Sequence, residues 1–175
     1  MSANHIRRKF LGFVALVPLS GLIACGYRMR GMVDLPFKAI AITGNPSPPL
    51  RADLQTAILT GTDVKVAINP KDADLILDVN NEINGREILA YGSTGQVSAY
   101  RLTTRVTFRA YDLSGAEIIP ESDIYITRDL DFSNSTVLAA DQQQAQFLGQ
   151  MRKDLALQIL RRVAAAAKSP RSRSF

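Results

Sequence analysis

The chain has 175 residues, 46% of them hydrophobic, with no tryptophan, one cysteine and one histidine. Its formal charge of +5 sits at the ends: three of the 21 basic residues precede residue 25 and three more lie from Lys168 onward, leaving 15 basic against 16 acidic groups over residues 26–167. A body close to neutral has no global field to draw nucleic acid, a lone cysteine makes no internal disulfide, and few aromatics with no tryptophan exclude a stacking platform for bases or sugars.

Arg7, Arg8 and Lys9 precede an uncharged stretch from Phe10 to Ala24, the pattern of a secretory signal peptide. The stretch is shorter than the roughly 20 apolar residues that a spanning helix needs. It ends in Leu22-Ile23-Ala24-Cys25, which resembles a lipobox, so residues 1–24 are expected to be removed and Cys25 to become the first residue. Its sulfur would carry a diacylglycerol thioether and its amine an acyl chain, an anchor made of lipid alone. No other cofactor is expected. Arg7-Arg8-Lys9-Phe10-Leu11 also resembles a twin-arginine export signature, so both the folded and the unfolded export routes stay open. Gly26, with no Asp at that position, favours the outer membrane over the inner by resemblance to enterobacterial sorting.

Residues 25–36 read as a lipidated, irregular tether, residues 37–168 as a single domain and residues 169–175 as a disordered tail. Phe37–Ile42 is a short strand, ended by the Gly- and Pro-rich run from Gly44 to Pro49. Leu50, Leu54, Ala57 and Ile58 recur at helical spacing and Gly61 closes that segment. Val64, Val66 and Ile68 alternate as a second strand, giving a strand-helix-strand unit with parallel strands. From residue 73 to 130 three extended runs follow, separated by turn signals at Gly92 to Gly95 and at Ser114-Gly115, the signature of an antiparallel meander.

In the central run Tyr100, Leu102, Thr104, Val106, Phe108 and Ala110 share one face. Arg101, Arg105 and Arg109 form a ladder on the other, with about 13 Å between steps of four residues. Leu138, Ala145, Leu148, Met151, Leu155, Ile159 and Val163 mark a long final helix from Thr136 to Ala167, with Asn134 or Ser135 as its N-cap. The fold expected is α+β, two helices packed on one face of a mixed sheet of about four to five strands.

Catalysis has little to work with. His5 precedes the expected cleavage point and Cys25 is acylated, which removes nucleophile-histidine and histidine-metal chemistry from the mature chain. Asp72, Asp74, Asp78 and Glu82 are close in sequence, but in a regular strand all four fall on the face opposite Leu75, Leu77 and Val79, a solvated edge rather than an acid-base pair.

Several stretches together resemble the LPS-assembly lipoprotein family, LptE. They are Cys25-Gly26-Tyr27-Arg28-Met29-Arg30-Gly31, Ala99-Tyr100-Arg101-Leu102, Arg128-Asp129, Val137-Leu138-Ala139, and Met151, Asp154, Gln158, Ile159 and Arg161-Arg162 near the end of the last helix. The resemblance implies a non-enzymatic outer-membrane lipoprotein on the periplasmic side. It would plug the lumen of the LptD barrel in a one-to-one complex, assist assembly of that barrel and help deliver LPS to the cell surface.

On this reading Arg101, Arg105 and Arg109 are candidates for contact with LPS phosphates or the barrel, since guanidinium groups pair bidentately with phosphate oxygens. The competing account is that they pair with carboxylates on neighbouring strands. Where the family places basic residues implicated in LPS contact, this chain has Ser93 and Ala140; Arg86, near the same sheet tip, is the candidate substitute. The alternative function is another periplasm-facing lipoprotein adaptor, serving an envelope transport or secretion complex.

Overall fold

A computed structural model describes residues 33–131 and 137–168, with side chains of the last segment described from residue 141. The signal segment 1–24, Cys25, the first part of the 25–36 tether, the Asn134 or Ser135 cap, the Leu138 and Ala140 side chains and the 169–175 tail lie outside the described residues.

The first strand, β1 (Ala39–Gly44), starts two residues later than its apolar pattern begins. Helix α1 (Pro48–Gly61) follows, with Leu50, Leu54, Ala57 and Ile58 on its buried side as their spacing requires. Ser47 caps its N-terminus by accepting from the Leu50 amide at 3.3 Å, and the two following prolines occupy positions where a missing N–H costs nothing. Gly61 belongs to the helix rather than closing it; the stop is made by Thr62, whose hydroxyl donates to the Ile58 carbonyl at 2.7 Å.

The next strand, β2 (Lys65–Ala67), is only three residues long and Ile68, expected to continue it, is fully exposed. A 3-10 turn at Pro70–Asp72 breaks the alternation there. Three long strands follow: β3 (Leu75–Tyr91), β4 (Val97–Asp112) and β5 (Glu117–Asp131). Helix α2 (Val137–Lys168) ends the domain.

The sheet order is β2-β1-β3-β4-β5. β1 pairs in parallel with both β2 and β3, while β3, β4 and β5 form the antiparallel meander. The result is the expected α+β fold, two helices on a five-stranded mixed sheet. Short turns with positive-φ glycines, Gly95 and Gly115, join the long strands.

One face of the sheet, carrying Ile40, Ile42, Leu75, Leu77, Val79, Val106 and Phe108, forms a single apolar cluster with Leu50, Leu54 and Ile58 of α1 and Leu155, Ile159 and Val163 of α2. A smaller cluster of Leu102, Leu130 and Met151, flanked by Phe147 and Leu148, lies toward the β3–β4 hairpin tip. There the packing thins: Ala145, expected in the apolar stripe of α2, is exposed. The Arg152 guanidinium of α2 bonds Asp53 of α1 at 2.6 Å, with both side chains largely covered.

Register along β3 changes at a bulge. Val79 pairs with Phe108 and Asn81 with Thr107, so Asn80 is one residue too many. A one-residue slip turns every later side chain to the opposite face. Glu82 therefore stands opposite Val106 on the helix side, not on the solvent side expected from simple alternation. Its carboxylate accepts from the Ser47 amide at 3.2 Å, at the positive end of α1.

Candidate functional site

The four acidic residues that crowd together in sequence are dispersed. Asp72 belongs to the 3-10 turn, Asp74 accepts from the Lys38 and Ala39 amides at 2.7 and 3.1 Å, Asp78 is buried and Glu82 faces the helices. Among the described residues no cluster of three or more His, Cys, Asp and Glu is placed to hold a metal ion. An open polar cleft of about 630 Å³ lies between the start of α1, the β3 bulge and Arg152. Its two charged side chains already have partners, Glu82 at the α1 amide and Arg152 at Asp53.

The arginine ladder of β4 lies on the sheet face away from the helices, as alternation dictates, and each rung meets a carboxylate. Arg101 grips Asp129 of β5 with two bonds, Nε at 2.8 Å and Nη2 at 3.1 Å. Arg105 reaches diagonally to Asp123, which also accepts from the Thr107 hydroxyl at 2.6 Å. Arg109 turns the other way, donating from Nε to Asp78 of β3 at 2.9 Å, and Asp78 accepts a further bond from Thr43 of β1 at 3.1 Å.

The electrostatics follow these bonds. The hydrogen bond to Asp129, then its charge, raise the Arg101 pKa, and Asp78 does the same for Arg109. Hydrogen bonds from Thr107 and Arg105 hold Asp123 below the ordinary carboxylate value, and Arg101 does so for Asp129. Solvent screens the exposed pairs Arg101–Asp129 and Arg105–Asp123, so they contribute little to stability, whereas Arg109 meets a buried carboxylate. Their larger effect is on the field: positive and negative groups alternate across the face, and a phosphate would have to displace a carboxylate to bind there.

Arg86 is on the opposite face. Past the Asn80 bulge it stands across from Leu102, whose side chain points to the helices. Arg128 of β5 stands across from Leu102 on the other side, so Arg86, Leu102 and Arg128 form one cross-strand row. The Arg86 guanidinium lies 4.6 Å over the Tyr100 ring and donates to the Gln144 amide oxygen at 3.1 Å. Arg128 repeats the arrangement, 4.9 Å over Phe147 with its Nη1 on the Gln150 amide oxygen.

Neither guanidinium has a carboxylate within 4.0 Å among the described residues, in contrast to Arg101, Arg105 and Arg109. No acidic residue occurs outside that part of the chain. The four candidate arginines thus divide into a neutralised ladder on the open face and one cation on the helix face, where the structure adds Arg128. The signal for Arg128 was present in the sequence: it falls in phase with Ile124, Ile126 and Leu130, a charge in the inward-facing register of a strand.

The model for the lipopolysaccharide-assembly family LptE matches residues 37–163. No curated protein sequence matches the chain. Among solved structures, lipoprotein B from Nitrosomonas europaea is 32% identical and covers 80% of this chain and 91% of its own, with a TM-score of 0.68. A minor lipoprotein from Acinetobacter baumannii is 25% identical, covering 75% of this chain and 93% of its own at a TM-score of 0.62. Rare lipoprotein B from Shewanella oneidensis shares the fold at 21% identity and a TM-score of 0.63, covering 73% of this chain and 94% of its own. With its strand-helix-strand unit, its three-stranded meander and all but the last turn of the closing helix inside the matched region, the chain belongs to the lipopolysaccharide-assembly family LptE, a family of envelope lipoproteins.

Proposed function

We propose that the protein is held by lipid on Cys25 at the periplasmic face of the outer membrane, where it plugs an LptD-type barrel, assists its assembly and helps pass LPS to the surface. The observation that carries this reading is the family match across residues 37–163, which takes in every strand, the first helix and all but the last turn of the second. The surface chemistry is compatible with it. A plug for a wide, wet lumen needs a polar exterior of mixed charge, and the open sheet face is a lattice of paired arginines and aspartates.

That pairing also divides the labour. Arg101, Arg105 and Arg109, being neutralised, suit contact with a polar barrel wall more than capture of phosphate. Arg86 is the candidate for LPS. The proposal is tested by depleting the protein in its own cells and following newly made LPS with a surface-restricted label. Surface LPS is expected to fall while the barrel accumulates in an incompletely assembled form; unchanged surface delivery would remove the proposal.

A further inference from the structure

We infer that the edge of β3 over residues 81–87 is a docking lane for an extended peptide segment of another protein, which adds to the sheet as a further strand. β1 and β3 are unequal in length: β1 stops at Gly44, opposite Val79, while β3 runs on to Tyr91. The Asn45 amide closes their pairing by donating to the Val79 carbonyl at 2.9 Å. Beyond that bond, β4 is the only strand beside β3 among the described residues. Alternate residues there aim backbone N–H and C=O groups into the lane that β1 has left, where an extended chain can take them up. The other sheet edges are guarded. β2 is three residues long, and β5 carries Pro120 and, at Asp123, a carbonyl that accepts from Arg162 at 3.3 Å. Residues 81–91 of β3 include neither proline nor lysine, and Ile83 among them is 50% exposed.

The walls of the lane select the occupant. Its lower end is the open polar cleft of about 630 Å³, lined by the start of α1, Glu82, Asn84 and Arg152. Asn84 uses its side-chain oxygen on the Thr104 hydroxyl at 2.8 Å, which leaves its amide nitrogen as a donor. Small polar side chains suit that face. On the other face Ile83, Gly85 and Glu87 stand beside Arg105, Thr103 and Arg101 of β4. Arg101 is held by Asp129, and Glu87 has no cation within 4.0 Å among the described residues. A strand with an apolar residue, a small residue and a cation at alternate positions therefore complements the row. It comes from another molecule. Val33 and Lys168, the two ends of the described chain, meet at the end of the sheet where β1 and β2 begin: Val33 donates to the Gly61 carbonyl at 2.7 Å and Lys168 pairs with Asp34 at 3.4 Å.

The test uses the full chain in detergent micelles and two acetylated, amidated heptapeptides, Ser-Val-Ser-Thr-Ser-Lys-Ser and its reverse, which cover parallel and antiparallel addition. Hydrogen exchange followed by NMR should show alternate amides of residues 81–87 slowing about tenfold or more when the better peptide is added. N-methylation of each alternate set of peptide amides separates backbone pairing from side-chain contact. One set is expected to weaken binding about tenfold or more and the other to leave it nearly unchanged. Glu87→Lys should weaken the peptide about tenfold, and a peptide with Glu in place of its Lys should prefer that variant to the original chain. Equal effects of the two N-methylated sets overturn strand addition. No binding of either peptide, or protection confined to residues 125–129 of β5, overturns the lane. Protection of the same amides without peptide, in a dimer seen by sedimentation, assigns the lane to a second copy and overturns the foreign partner. Strand addition needs no LPS, so each of these outcomes leaves the reading of LPS delivery untouched.

Discussion

Exchanging residues 1–25 for a cleavable signal peptide with no lipidated cysteine is expected to convert the purified protein from a vesicle-bound to a freely soluble species. Each buried methylene contributes about 0.8 kcal/mol, and a single myristoyl chain gives an association constant of only about 10⁴ M⁻¹, so an anchor of several chains on one residue binds far more firmly than one. Among the described residues no helix is long and apolar enough to cross a membrane. Flotation with liposomes free of any barrel reads the effect directly. The acylated chain should float with the lipid and the exchanged chain should stay in the dense fraction. Flotation of both would place the anchor elsewhere than Cys25.

Gly44→Ala is expected to be the most damaging small substitution in the domain. Gly44 ends β1 at φ 77°, a left-handed conformation that costs an L-residue roughly 1–2 kcal/mol. A Cβ there would lie 2.2 Å from the Val79 carbonyl oxygen and 2.8 Å from the Asp78 carboxylate. Those atoms are fixed: the Val79 carbonyl accepts from the Asn45 amide at 2.9 Å, and Asp78 is held by Thr43 and Arg109. Relief requires β1 to move off β3 at the point where the chain turns into α1. A total loss of about 3–5 kcal/mol is expected, a large part of a small domain's stability. Urea unfolding should show a lower midpoint at unchanged slope; an unchanged midpoint would mean that the strand end is free to shift.

The regular parts of this fold could be read from sequence because they obey one period each. Leu50, Leu54, Ala57 and Ile58 define a helix face, and the alternation from Tyr100 to Ala110 separates core from arginine ladder without ambiguity. What escaped was set by local departures from a period. Nothing in Asn80-Asn81 marks which asparagine is the extra one, yet that residue decides that Glu82 and Arg86 face the helices. Ile68 continues the alternation of β2 in sequence, but the 3-10 turn at Pro70 leaves it in solvent.

The site was legible in composition and illegible in pairing. Three arginines four residues apart had to share a face, but whether they meet phosphate or carboxylate depended on which acidic residues the register brought alongside, Asp78 from β3 and Asp123 and Asp129 from β5. In sequence Arg128 reads as half of the Arg128-Asp129 pair, and only its place among the inward positions of β5 sets it apart from the ladder.

Partnership with an outer-membrane barrel in LPS assembly is addressed most directly by copurification. The chain is recovered through a C-terminal tag from mildly solubilised membranes, and its partners are identified and quantified by mass spectrometry. One large LptD-type barrel in equal amount is the result predicted; recovery of inner-membrane transporter subunits, or of the lipoprotein alone, would contradict it.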